Sequence, residues 1–226
     1  MPCGVVRVNE ARYAELVKKR WIIGIDEVGR GALAGPVTVG LVAIPSNTKG
    51  IGMTAKLPLR DSKKLSPIQR EAWVKYMRVW KRENGGIYFV TKSMSHKVVD
   101  KINVAQAANR AATKALQKFM VDTAINPKYA KVFLDGGLYV RETKGVRFPK
   151  TETIVKGDEK VPVIALASIV AKVTRDRKLV RLSEAYPKYE FATHKGYGTK
   201  VHIRAIKRHG ILDIHRLTFT SKWANI

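Results

Sequence analysis

Residues 21–36, WIIGIDEVGRGALAGP, decide how this chain is read. An apolar, β-branched run through Ile22, Ile23 and Ile25 ends in two adjacent carboxylates, Asp26 and Glu27, followed at once by Gly29-Arg30-Gly31. The run predicts a buried strand and the glycines a turn at its end. Acids are scarce in this chain, 18 against 43 basic residues, so a neighbouring pair behind an apolar strand needs a reason. Two like charges at the edge of a core repel and lose hydration, and a divalent cation relieves both penalties. The pair therefore points to a metal-dependent enzyme.

Downstream, Pro36–Pro45 reads as a second strand and Ser46–Leu65 as a long loop. Ser66-Pro67-Ile68-Gln69 offers a serine cap, a first-turn proline and a capping-box glutamine, which predicts a helix to about Glu83, stopped at Asn84-Gly85-Gly86. Ile87–Val90 is a third strand. One long helix is expected over Asp100–Val121, where Ile102, Ala105, Ala108, Ala112, Leu116 and Phe119 form a narrow face. Strands at Lys131–Leu134 and Thr151–Val155 lead into Asp135 and into Lys156-Gly157-Asp158, and an apolar helix spans Val163–Leu182. The last forty or so residues are basic and helical, with a loop at His194–Thr199. The alternation of strands and helices predicts an α/β core with a C-terminal helical part laid against it.

The chain has 226 residues, a formal net charge of +25 and a pI near 10.3. Such charge calls for a polyanion. Nucleic acid suits it better than a membrane surface, because no segment pairs a lysine-rich face with a bulky apolar one. A lysine-rich surface of the kind heat-adapted proteins carry would explain the charge without a partner, but not the placement of the acids. Cys3 is the single cysteine, which excludes an internal disulfide or a cysteine zinc site and fits a reducing cytoplasm. The first residues carry no signal-peptide core, and the longest apolar run, Val161–Ala171, is far short of a membrane span. A soluble protein is expected.

Three strands thus end in acid: Asp26-Glu27, Asp135 and Asp158. Strand ends in α/β sheets are where ligands bind. Four carboxylates converging there would suit two Mg²⁺ ions, and the chemistry that asks for them is in-line phosphodiester hydrolysis. An Asp after a strand is more often a cap or turn residue, and neighbours in a strand point to opposite faces, so spacing alone does not bring Asp26 and Glu27 together.

The series of motifs nevertheless resembles the type 2 ribonucleases H, specifically ribonuclease HII. It comprises Asp26-Glu27-Val28-Gly29-Arg30-Gly31, Ala34-Gly35-Pro36-Val37, Asp61-Ser62-Lys63-Lys64-Leu65, Asp135-Gly136, Lys156-Gly157-Asp158, residues 167–176, His194-Lys195-Gly196-Tyr197-Gly198-Thr199 and His215-Arg216. The resemblance implies an RNase H-like mixed sheet flanked by helices, with an N-terminal extension (1–20), a catalytic core (21–182) and a C-terminal helical region (183–226). It implies that Asp26, Glu27, Asp135 and Asp158 bind two Mg²⁺ or Mn²⁺ ions and carry catalysis. Gly29-Arg30-Gly31 would meet the ribose 2′-hydroxyl at an RNA–DNA junction, and Tyr197 would stack on the neighbouring sugar. Lys63, Lys64, Lys172 and Arg175 are candidate phosphate contacts, and Asp176 a structural ion-pair residue.

Ala32 and Gly137 depart from the family's usual proline and polar residue. Arg30, and the twenty residues before Trp21, favour ribonuclease HII over the sister type that acts only on longer hybrids. The substrates implied are RNA–DNA hybrids and DNA containing ribonucleotides, cut 5′ to the ribonucleotide to leave 3′-hydroxyl and 5′-phosphate ends. A monomer is expected, and the tail Thr218–Ile226, with Phe219 and Trp223, is a candidate contact for a replication clamp. A hybrid-binding protein without activity and a basic structural protein are the alternatives; the intact carboxylate set argues against both.

Overall fold

The computed structural model describes residues 20–46, 48, 59, 62–84, 86–142 and 145–223. Cys3 and the extension before Arg20, most of the loop 46–65 including Asp61, and the last three residues of the tail lie outside them. Five strands form one mixed sheet: β1 (Trp21–Val28), β2 (Val37–Pro45), β3 (Tyr88–Met94), β4 (Ala130–Asp135) and β5 (Lys150–Ile154), in the order β3-β2-β1-β4-β5. β1 and β3 run antiparallel to β2, while β4 lies parallel to β1 and β5 parallel to β4. The helices are α1 (Pro67–Asn84), α2 (His96–Ile102), α3 (Val104–Thr123), α4 (Gly157–Lys160), α5 (Pro162–Ala185), α6 (Phe191–His194), α7 (Lys200–His209) and α8 (Leu217–Thr220).

Alternation along the strands divides the core in two. Ile23, Ile25, Val39, Leu41, Val132 and Leu134 pack under α3, against Ala108, Ala112, Leu116 and Phe119. The other face carries Val42 and Phe133 and is covered by α5 and α1, with Trp73 and Met77 fully buried. On that face β1 and β2 present Gly24 and Gly40. A Cβ on Gly24 would lie 2.4 Å from the backbone of Val163, and one on Gly40 would lie 2.2 Å from the carbonyl oxygen of Ala167. The two glycines let α5 rest on the strand backbones themselves, and this close approach brings the helix to the site.

The α1 capping box forms as the sequence predicts: Gln69 N–H donates to Ser66 Oγ at 3.2 Å and Ser66 N–H to Gln69 Oε1 at 2.8 Å. The single helix expected over 100–121 is instead two. Asn103 leaves helical geometry at φ 61° and uses its side chain to accept from Gln106 N–H, so it starts α3 anew, while Ser95 caps α2. Asp158, expected to close a strand, lies instead in the short α4, and the C-terminal stretch expected to be helical is broken into α6, α7 and α8. The other strands and helices shift from the sequence-derived limits mainly at their ends. No described helix is long and apolar enough to cross a membrane.

Candidate active site

β1 and β4 are parallel neighbours, with Ile25 paired to Leu134, so the next residues, Asp26 and Asp135, sit side by side at the strand ends. Asp135 faces the α5 side with Phe133, as does Asp26 with Gly24. Glu27 follows on the opposite side of the pleat, yet one carboxylate oxygen from each of Asp26, Glu27 and Asp135 lies within 4.8 Å of the others. The tight turn after β5, with Lys156 at φ 54°, swings Asp158 into the same cavity of about 260 Å³, outside that tightest group of three.

Each carboxylate is held by a specific donor. Glu27 N–H donates to Asp26 Oδ1 at 2.7 Å, and Asp26 also bonds the Ser168 hydroxyl, which meets Ser62 Oγ at 2.8 Å. Arg30 Nη1 donates to Glu27 Oε1 at 2.9 Å. Gly157 N–H donates to Asp135 Oδ1 at 2.6 Å, in a tight corner where a Cβ at 157 would lie 2.5 Å from Ile164 Cδ1 and 3.3 Å from Asp135 Oδ1. Lys63 Nζ stands 3.6 Å from Asp158 Oδ2.

Burial first, then the neighbouring Glu27 and Asp135 charges, push the Asp26 carboxyl well above its usual range. Burial also raises Glu27, against the pull of Arg30. Glu27 Oε2 is buried with no hydrogen-bond partner among the described residues. An oxygen-only cluster, strained by its own charge and with an orphaned carboxylate oxygen, fits a hard divalent cation and gives no purchase to a soft one.

The turn Gly29–Pro36 forms the next wall. Its backbone is fixed from beneath by two buried arginines. Arg175 donates to the carbonyls of Pro36, Ala34 and Lys195 at 2.9, 3.1 and 2.8 Å, and Arg216 to those of Arg30 and Gly35 at 2.8 and 3.1 Å. Both are 0% exposed. The phosphate role expected for Arg175 is therefore corrected: its guanidinium lies inside the fold, spent on carbonyls, and a Cβ at Gly29 would strike its Nε at 2.2 Å. Arg216 belongs with the residues that build the site, and its role was not visible in the sequence.

Tyr197 reaches the cavity from the C-terminal region, bridged to Ala32, with the Arg175 guanidinium 5.3 Å from its ring centroid. Gly29, Arg30, Gly31, Lys63 and Lys172 line the cavity too. Lys172 pairs with Asp176 at 2.8 Å, which also lies 3.9 Å from Arg70, while still lining the cavity. Lys64 is exposed and does not line the cavity.

Beneath Tyr197 lies a buried histidine cluster. Leu212 N–H donates to His215 Nδ1, so the His215 proton sits on Nε2 and is donated to His202 Nε2 at 3.1 Å; His202 Nδ1–H then holds the Tyr197 carbonyl at 3.0 Å. His194 accepts from Gly196 N–H at Nδ1 and donates to the Tyr189 carbonyl through Nε2. This pattern needs neutral rings, and burial lowers His202 and His215 from 6.5 to about 4.

The unfolded chain takes up protons on these rings below pH 6.5 that the folded chain refuses until about 4, so their stabilisation is complete above pH 6.5 and drains as pH falls. Between pH 7.5 and 5.0 each ring should account for a loss of roughly 2 kcal/mol, about 4–8 °C in melting temperature. Asp26 and Glu27 titrate with the opposite sign. The His215 share is therefore the difference in pH slope between the wild type and His215→Asn, and equal slopes would contradict it.

A sequence profile of ribonuclease HII matches residues 23–222. The ribonuclease HII of Endomicrobium trichonymphae is 39% identical over 200 residues, covering 88% of this chain and 85% of the relative. That of Fusobacterium nucleatum subsp. nucleatum is 40% identical over 202 residues, covering 89% and 86%. Among solved structures, the ribonuclease H2 from Pyrococcus horikoshii OT3 aligns at TM-score 0.65 and 23% identity over 91% of this chain and 97% of its own. The RNase HII of the PCNA:RNase HII complex from Archaeoglobus fulgidus aligns at 0.62 and 23%, over 88% and 94%. Bst-RNase HIII in complex with Mn²⁺ shares the fold at 0.59 and 18%, over 100% and 75%. With carboxylates clustered at the ends of β1 and β4 and a sequence match along nearly the whole chain, this protein belongs to the ribonuclease HII family, the metal-dependent type 2 ribonucleases H that act on RNA–DNA hybrids.

Proposed function

We propose that the protein nicks DNA on the 5′ side of single embedded ribonucleotides, in addition to cutting the RNA strand of hybrids, and leaves 3′-hydroxyl and 5′-phosphate ends. The observation that carries this reading is Gly31. Its backbone is not in the left-handed region, and among the described residues a Cβ there would meet no atom within 4 Å, so nothing described in the fold calls for a glycine. A partner outside the chain that must approach the backbone closely does, and a ribose 2′-hydroxyl beside the scissile phosphate is such a partner.

Asp26, Glu27, Asp135 and Asp158 would hold two Mg²⁺ or Mn²⁺ ions. When bound, such ions activate the attacking water and neutralise charge on the leaving oxygen. The rest is done by the chain. Ser168 and Ser62 fix Asp26, Arg30 fixes one oxygen of Glu27 and leaves the other free, and Gly157 N–H aims Asp135. The two buried arginines hold the Gly29–Pro36 backbone still, so that its polar groups meet the sugar without reorganising. Tyr197, at the cavity rim, would stack on the adjoining deoxyribose, and Lys63, Lys64 and Lys172 would position the phosphates.

Gly31→Ala and Tyr197→Ala should each keep the wild-type melting temperature within about 2 °C while raising KM on a single-ribonucleotide duplex about tenfold, and on a long hybrid no more than about threefold. Equal losses on both substrates would remove the junction role.

We assign the protein to the reducing cytoplasm as a monomer. Contact with a sliding clamp, as in the Archaeoglobus fulgidus complex, would engage the tail Thr218–Ile226. Phe219 and Trp223 pack against the C-terminal apolar cluster, so the contact would fall mainly to residues around them.

A further inference from the structure

A second groove opens where the chain leaves β4. It has a volume of about 480 Å³ and lies between one face of α3 and the segment that follows Asp135. Gln106, Arg110, Thr113 and Lys114 recur along α3 at helical spacing and line its floor, and Tyr139 and Arg141 form the opposite wall. The groove is preformed. Tyr139 N–H donates to Asn109 Oδ1 at 2.9 Å, Arg141 N–H to Thr113 Oγ1 at 3.2 Å, and Tyr139 Oη to Gln106 Oε1 at 2.8 Å. The Arg141 guanidinium lies 5.2 Å from the Tyr139 ring centroid, which sets its direction.

Three cations face this groove, and among the described residues none of them forms an ion pair. The one acid among the described residues on its rim, Glu142, turns its carboxylate toward Phe148 N–H. A short segment joins the groove to the site: Tyr139 is four residues past Asp135, at most about 14 Å along the chain. Between them, a side chain at Gly137 would come within 3.5 Å of Arg30 Nη1. Leu138 N–H donates to the Asp135 carbonyl at 3.0 Å, so the segment turns within that reach. With a rise of about 3.4 Å per base pair, Tyr139 lies within about four base pairs of the scissile phosphate.

We propose that this groove is a phosphate-backbone subsite, in which Arg110, Lys114 and Arg141 grip the bound duplex a few base pairs to one side of the cleaved bond. The subsite rests on the nucleic-acid reading of the active site and deepens it: it gives the enzyme a minimum duplex length on one side of the cut. It carries no base-specific readout, because its charged groups are suited to phosphate and its neutral ones are tied to each other.

The test is fluorescence anisotropy in EDTA, which needs neither metal nor turnover, with three duplexes carrying one ribonucleotide. One has it central, and the other two place it two base pairs from either end. The variant Arg110→Ala/Lys114→Ala/Arg141→Ala alters exposed side chains and should melt as the wild type does. Its Kd for the central duplex should rise about tenfold, and the slope of log K against log salt should shrink by about 2.7. On one of the two truncated duplexes, the one that ends before the groove, wild type and variant should bind alike. The single variant Lys114→Glu should show the same asymmetry.

An unchanged Kd on the central duplex, or the same loss on all three duplexes, would overturn the subsite. Cleavage of the central duplex by the wild type in Mg²⁺ is scored separately. A protein that binds with this asymmetry but does not nick would refute the proposed function and keep the groove. One that nicks without the asymmetry would do the reverse.

Discussion

Asp135→Asn is expected to lower turnover of an RNA–DNA hybrid by about a thousandfold, well beyond the 10–100-fold typical of losing a residue that merely supports a metal ligand. The substitution isolates charge from shape. Asparagine Oδ1 can still accept from Gly157 N–H, the contact that Asp135 Oδ1 makes at 2.6 Å, so the turn after β5 keeps its anchor. What is lost is one of three carboxylates whose oxygens lie within 4.8 Å of each other. In the metal-free protein that loss relieves repulsion on Asp26 and Glu27, both of which are raised in part by the Asp135 charge. The variant should therefore melt at or above the wild-type temperature, and should bind a hybrid in EDTA at least as tightly as the wild type. Turnover equal to the wild type would remove Asp135 from the metal site, and a lower melting temperature would show that its role is structural.

Gly40→Ala is expected to destabilise the fold by about 3 kcal/mol, the upper part of the range for overpacking a core, which lowers the melting temperature by roughly 6–12 °C. One methyl group has this effect because of what it meets. The added Cβ would stand 2.2 Å from the Ala167 carbonyl oxygen and 3.0 Å from Ala171 N, both of them α5 backbone that no rotamer change can move. Relief requires α5 to lift from the sheet, and α5 carries Ser168, the hydrogen-bond partner of Asp26, and Arg175, the anchor of the Gly29–Pro36 turn. Loss of stability and loss of turnover should therefore appear together in this variant, unlike in Asp135→Asn. Scanning calorimetry with parallel assays decides it, and a wild-type melting temperature would mean that α5 does not rest on the strand backbones.

The parts of this molecule that sequence reveals are those set by local chemistry. β1 is legible because β-branched residues run up to a pair of acids, and α1 because Ser66 and Gln69 complete a capping box within four residues. Asp26 and Asp135 could be suspected of meeting because both close apolar runs; that β1 and β4 are parallel neighbours in the register that sets them side by side is a property of the sheet. Glu27 could not be placed by alternation, which sends it to the other face.

What stayed hidden is long-range. Gly24 and Gly40 look like ordinary strand residues until α5, more than 120 positions later, lies on them. Arg175 looked like a phosphate ligand because arginine in so basic a chain is by default solvated. Its partners are carbonyls about 140 residues away, and no spacing in the sequence foretells that burial. Two local signals do bear on this region, the capping residues Ser95 and Asn103, which start α2 and α3, Asn103 doing so inside an apparently continuous helical pattern.

The central claim is that the carboxylate cluster and the Gly29-Arg30-Gly31 turn together read and cut at a ribonucleotide. It is tested most directly with a DNA duplex bearing one embedded ribonucleotide, labelled at each end in turn and incubated with the protein in Mg²⁺ and in Mn²⁺. A single nick 5′ to the ribonucleotide, leaving 3′-hydroxyl and 5′-phosphate ends and lost in EDTA, is the predicted result. Cutting confined to a continuous RNA–DNA hybrid, or tight binding of both duplexes with no cut in either, would contradict it.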